Sequence, residues 1–142
     1  MKKDDPFRLP ITVRGYELDA FQHVNNAVYL QYFEHARWMA LRELGPDWLQ
    51  GQGLTLVVRK VTLEYARPAR VFDELVIRLW VERIGRTSLT FGQDLRRQDD
   101  DALVASADVV TVCLGADGRP HAVPDEWRRL VGWSDEETST TK

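Results

Sequence analysis

A chain of 142 residues, 44% hydrophobic and 29% charged, has the size and composition of one globular domain. The net charge of −3, with basic residues scattered along the chain, gathers no nucleic acid. The lone cysteine, Cys113, excludes an intramolecular disulfide and a thiolate zinc cluster.

The opening MKKDDPFRLP has a basic pair but no apolar stretch behind it. It does not read as a signal peptide, and no run approaches the roughly 20 apolar residues that span a bilayer. The expected setting is a reducing cytoplasm. Residues 1–9 read as a flexible N-terminal tail, and ITVRGYEL, β-branched and aromatic, reads as a first strand over about 10–17. From Ala27 to Leu44 there is neither Gly nor Pro, and Gly45–Pro46 ends the run. Tyr29, Phe33, Ala36, Ala40 and Leu44 form one helical stripe. Gln31, His35 and Arg42 mark the opposite face, but Trp38 lies among them. A helix apolar on more than one side is expected to be covered on more than one side.

After the loop LQGQGL the pattern changes to period two. Strands are expected over 54–65, 75–82, 88–95 and 102–114. The last, an apolar run holding Cys113 as a small buried hydrophobe, reads as a central strand buried on both faces. The breaks IGR, DDD and ADG are short enough for antiparallel hairpins but not for crossover helices. VPDEWRRLVG reads as a short final helix. The domain therefore spans 10–133, and the polar 134–142 is expected to be a disordered C-terminal tail. One helix covers five strands only if the sheet curls around it. The fold class is α+β, a curled antiparallel five-stranded sheet wrapped around one long helix.

Chemistry concentrates where that helix begins. In YELDAFQHVNN, Asp19, His23, Asn25 and Asn26 crowd its entrance. A helix N-terminus offers unpaired N–H groups and the positive end of the macrodipole, which polarise a carbonyl or hold an anion. Asn25 suits the N-cap. A carboxylate beside those groups can activate water or attack directly while the N–H groups draw charge onto a carbonyl oxygen. Each residue also has a plainer reading: Asp19 as a dipole or loop-ordering group, His23 as a hydrogen-bonded loop residue, Asn25 and Asn26 as caps, Tyr29 as core. One imidazole and one carboxylate are too few for a metal site. Ser88 and Ser106 lie in strands with no readable triad partners.

VRGYELDAFQHVNNAVYLQYFEHARW, YARPARVFDEL and ADVVTVCL together resemble the hotdog-fold acyl-CoA thioesterases of the 4-hydroxybenzoyl-CoA thioesterase-like superfamily. Within it, the chain is most similar to the bacterial long-chain acyl-CoA thioesterases of type III. The resemblance implies that Asp19 is the catalytic general base or nucleophile, with the thioester carbonyl near the Asn26 N–H. His23, Asn25, Asn26 and Tyr29 would position the thioester. Lys60, Arg67 and Arg70 would meet the phosphates of CoA. Gln22, His23 and Asn26 depart from the 4-hydroxybenzoyl-CoA pattern, which favours a medium- to long-chain fatty acyl-CoA over an aromatic one. No metal or cofactor is implied. A homodimer or pair of dimers is, with Asp19 facing the partner's 57–65 strand or the segment after it. The rival readings are an acyl-carrier-protein thioesterase and a non-catalytic acyl-CoA-binding hotdog protein.

Overall fold

The computed structural model describes residues 1–45 and 53–133. Strands β1 (Phe7–Thr12), β2 (Thr55–Tyr65), β3 (Glu74–Ile84), β4 (Ser88–Arg97) and β5 (Leu103–Leu114) accompany helices α1 (Asn26–Leu44) and α2 (Asp125–Leu130). The strands form one antiparallel sheet in the order β1-β3-β4-β5-β2. This is the curled sheet around one long helix that the sequence implies.

Three expectations change. The first strand begins earlier, because Phe7 pairs with Leu79 and Leu9 with Ile77. Gly15–Glu17 is instead a turn of 3₁₀ helix. Residues 1–9 are likewise not a loose tail in the structure: the Val81 N–H donates to the Met1 carbonyl, and the terminal ammonium to the Val131 carbonyl. The central strand is β4, not β5, which lies between β4 and the edge strand β2. Alternate β5 residues are buried against the core, but the outer face is only half covered and Asp108 is exposed. The expected tail at 134–142, Pro46 and most of LQGQGL lie outside the described residues.

Helix α1 starts where the Asn25 side-chain oxygen accepts the Ala27 N–H at 2.9 Å. It ends at Gly45, whose φ of 108° would strain a side-chain-bearing residue. Its buried face is Tyr29, Tyr32, Phe33, Ala36 and Ala40, packed over β3 and β1. It meets β2 at the strand's end, through Tyr65. Leu30 and Trp38 of α1 are 43% and 53% exposed, and Val58 and Val61 of β2 are 45% and 39% exposed. The covering expected on a second side of the helix is therefore missing within one chain, and an apolar groove remains between α1 and β2.

Cys113 is fully buried, and burial pushes its thiol pKa up, as suits a core hydrophobe. On the outer face of the sheet the Trp80 indole lies over its cross-strand neighbour Gly92, with Lys3 and Arg78 each 5.6 Å from the ring centroid. A Cβ at position 92 would overlap the indole. Gly92→Ala is therefore expected to destabilise the fold by about 1–3 kcal/mol, the scale of overpacking, measured by urea denaturation. An unchanged midpoint would show that the indole has room to move.

Candidate active site

The loop between β1 and α1 folds around a buried carboxylate. Glu17 accepts hydrogen bonds from the Arg14 N–H at 2.8 Å, the Arg14 Nη2 at 3.0 Å and the Tyr32 hydroxyl at 2.8 Å. It is 5% exposed. Burial alone would raise its pKa, but the bonds from Arg14 and Tyr32 outweigh burial and hold it below the ordinary value. The Glu17 carbonyl in turn accepts the N–H of the N-cap Asn25 at 2.9 Å. One residue thus ties the end of β1, the interior of α1 and the helix start together.

Asp19 sits two residues on, in a tight turn. Its N–H donates to the His23 carbonyl at 2.8 Å, and its carbonyl accepts the Gln22 N–H at 3.1 Å. Gln22 closes the turn with φ at 65°, a left-handed conformation that costs a non-glycine residue roughly 1 kcal/mol. The Asp19 side chain is oriented by the backbone: Oδ1 accepts the N–H of Phe21 at 2.9 Å and of His23 at 3.3 Å. Among the described residues Oδ2 accepts none.

Asp19, His23, Val24, Asn26 and Tyr29 line one side of an open cleft of about 230 Å³, and Tyr65, Ala66, Arg67 and Pro68 line the other. The Tyr65 hydroxyl donates to the Asn26 carbonyl at 3.0 Å. Its ring meets Tyr29 edge-on, the centroids 5.2 Å apart. The Tyr29 hydroxyl accepts the Ala69 N–H at 3.3 Å, and burial raises its pKa. Asn25 stands just behind the cleft as the cap, so its role there is indirect. The Asn26 N–H, at the first helical position, meets no acceptor among the described residues.

The cleft thus brings together Asp19, His23, Asn26, Tyr29 and Arg67. Arg67 leans on the sheet by donating to the Leu103 carbonyl at 2.8 Å. Arg70 lies in the adjoining turn, its N–H on Asp73 Oδ2 at 2.9 Å, outside the cleft lining. Lys60 is not brought in. Its cross-strand partner is Val110, and the alternation of β2 puts it with Thr62 and Glu64 on the outer face, away from Asp19. Within the chain, Tyr65 and the segment after β2 lie in the same cleft lining as Asp19.

Sequence reasoning missed three residues. Tyr65 reads only as a strand end, Tyr32 only as core and Glu17 not at all, although Glu17 and Tyr32 join into one buried network. A carboxylate two residues before Asp19 was the only available signal.

The thioesterase superfamily model matches residues 21–104. The chain belongs to the thioesterase superfamily. It is 35% identical over 105 residues to the long-chain acyl-CoA thioesterase FadM of Escherichia coli K12, covering 73% of this chain and 80% of that one. It is 34% identical over 121 residues to the acyl-CoA thioester hydrolase YbgC of Escherichia coli O6:H1, covering 83% and 90%. The solved structure of YbaW, a probable thioesterase from Escherichia coli, superposes with a TM-score of 0.78 at 31% identity, covering 87% and 94%. The protein is a thioester hydrolase with a hotdog fold. No helix among the described residues of this thioesterase is long and apolar enough to cross a membrane.

Because Glu17 is held below the ordinary carboxylate value, the stability it contributes is present above that range and lost as pH falls through it. Glu17→Gln should cost about 1–3 kcal/mol at neutral pH, the scale of a disturbed buried hydrogen-bond group. Denaturation at several pH values should show the gap from wild type narrowing between roughly pH 5 and pH 3. A gap independent of pH would mean that the carboxylate charge is not what the network uses.

Proposed function

We propose that this thioesterase hydrolyses medium- to long-chain fatty acyl-CoA, with Asp19 as general base toward water or as nucleophile. The observation that carries this reading is the pairing of an oriented carboxylate with the start of α1 across one cleft. In the general-base form, Asp19 takes a proton from water as the water oxygen attacks the thioester carbon. Negative charge gathers on the carbonyl oxygen, where the Asn26 N–H and the helix macrodipole stabilise it. The intermediate then expels the sulfur of CoA, which takes up a proton, and the acid departs. In the nucleophilic form, Asp19 attacks the thioester carbon, the C–S bond breaks, the CoA thiolate leaves and takes up a proton, and water opens the resulting anhydride to restore Asp19 and release the acid.

Asn25 holds the helix start in place, Tyr29 walls the acyl side, and His23 shapes the turn behind Asp19. Arg67, at the open side of the cleft, suits the phosphates of CoA, with Arg70 beyond it. The groove between α1 and β2 starts at Tyr65 and supplies apolar walls for the chain. A homodimer formed along β2 would roof that groove. The other sheet edge, β1, is six residues long and interrupted by Pro10, whereas β2 offers eleven residues.

Asp19→Asn keeps the shape of the side chain and removes the base. Release of free CoA from the best acyl-CoA should fall by at least roughly 100-fold, and a wild-type rate would end the carboxylate assignment. Acyl chains on an acyl carrier protein should be poorer substrates than the same chains on CoA; the reverse order would move the activity to the carrier protein.

The smallest active species should be a homodimer, read by light scattering during turnover. A fully active single chain of 16.4 kDa would remove the roofed groove.

A further inference from the structure

Among the described residues, the most exposed large apolar side chains all stand on two loops beside the Asp19 cleft. Tyr16 and Phe21, in the loop between β1 and α1, are each 80% exposed, and Phe72, in the loop between β2 and β3, is 77% exposed. The next is Trp38 at 53%. Backbone bonds stitch the two loops together. The Phe72 N–H donates to the Val13 carbonyl at 3.0 Å, the Val13 N–H to the Asp73 carbonyl at 3.0 Å, and the Val24 N–H to the Ala69 carbonyl at 2.8 Å. Each aromatic lies within three residues of one of these bonds, so the three belong to one rim.

The turns hold these side chains outward. Phe72 has φ at 67°, a region that glycine enters freely and a bulky residue seldom does. Its turn is closed by the Arg70 N–H on Asp73 Oδ2 at 2.9 Å and by the Asp73 N–H on the Arg70 carbonyl at 3.1 Å. The Phe21 N–H is bound by Asp19 Oδ1, and the next residue, Gln22, is also left-handed, with φ at 65°. Bulky aromatics kept in water on strained turns point to a contact surface.

The exposed charge around them has one sign. In these two loops the exposed charged side chains are Arg14, Arg67 and Arg70, on a chain of net charge −3. The carboxylates there, Glu17, Asp19 and Asp73, are buried or half-buried, and Glu17 and Asp73 are each paired with an arginine. Arg14 also lies 5.4 Å over the Tyr16 ring. Separate aromatic tips among arginines suit a surface that admits apolar groups to a shallow depth beneath negative headgroups. A second copy brought to this rim by a two-fold axis would set arginines against arginines.

We propose that this rim docks the thioesterase on anionic lipid bilayers, with Tyr16, Phe21 and Phe72 entering the interface and Arg14 and Arg70 meeting the headgroups. Arg67 stays at the cleft, where the acyl-CoA reading uses it. The cleft then opens beside the phase into which long acyl chains partition. Docking goes beyond that reading and is measured with no substrate present.

The test is co-flotation of the full-length protein with vesicles of phosphatidylcholine alone, and of equal parts phosphatidylcholine and phosphatidylglycerol. At low salt the protein should bind the anionic vesicles at least about tenfold more tightly, and added salt should weaken that binding by about tenfold. Phe72→Gly should keep or raise the urea midpoint, because glycine suits the left-handed backbone, and should weaken vesicle binding by about threefold or more. The double variant Tyr16→Ser/Phe72→Gly should weaken it by about tenfold or more. Release of CoA from a short, fully soluble acyl-CoA should not change with Phe72→Gly, whose side chain lies outside the cleft lining.

No binding to anionic vesicles at low salt overturns the proposal, and so does wild-type binding by the double variant. A lower mass by light scattering for the double variant than for wild type would show that a second copy covers the rim, and would overturn it equally. If the double variant does not fold, Phe72→Gly is read in its place. None of these outcomes touches acyl-CoA hydrolysis, which is measured separately by release of CoA.

Discussion

The carboxylate of Glu17 is buried at the point where strand, loop and helix meet, and the geometry around Asp19 depends on it. Three donors converge on its side chain and the N-cap amide binds its carbonyl. A buried charge is tolerated only with such partners. The need is therefore mutual: the loop satisfies the carboxylate, and the carboxylate gives the loop one conformation. Asp19, two residues away, inherits that order. Its own bonds are all to the loop backbone, which hold the side chain but could not by themselves register the loop against α1.

A second constraint comes from strand order. With β1 and β3 beneath α1, the helix cannot also cover β2, which the order β1-β3-β4-β5-β2 puts at the far edge. Apolar residues on the inner side of β2 are consequently bare, although they alternate as a core strand would. Soluble proteins seldom leave such a strip without use. A substrate chain lying in it and a second subunit closing over it answer the same need, and the two are compatible if the partner forms the roof and the chain fills the space beneath.

Much of this was legible from local pattern. The helix from Asn26 to Leu44 followed from a cap, an unbroken run and a terminating glycine, all short-range effects. The hairpins β3–β4 and β4–β5 followed from period-two alternation and short breaks. Asp19 stood out because a carboxylate before a helix start has a chemical meaning at fixed spacing. The errors share a different origin. Lys60 was grouped with Arg67 because both are basic and near in sequence, but pleating put Lys60 on the other side of the sheet. The apolar run in β5 suggested a central strand, yet burial of its outer face depends on neighbours that only the sheet order decides.

The sequence by itself determined the elements, the capped helix and the acid at its entrance, because those depend on backbone propensity and contacts within a few residues. The tertiary structure alone decided that Glu17 would meet Tyr32, that Tyr65 and Arg67 would share a cleft with Asp19, and that Arg37 would donate to Gln93 of β4. These pairings join residues 15, 46, 48 and 56 positions apart, between Glu17 and Tyr32, Asp19 and Tyr65, Asp19 and Arg67, and Arg37 and Gln93. No local preference specifies such distances. They are set when the sheet curls, since its curvature and strand order determine which side chains share one enclosed space.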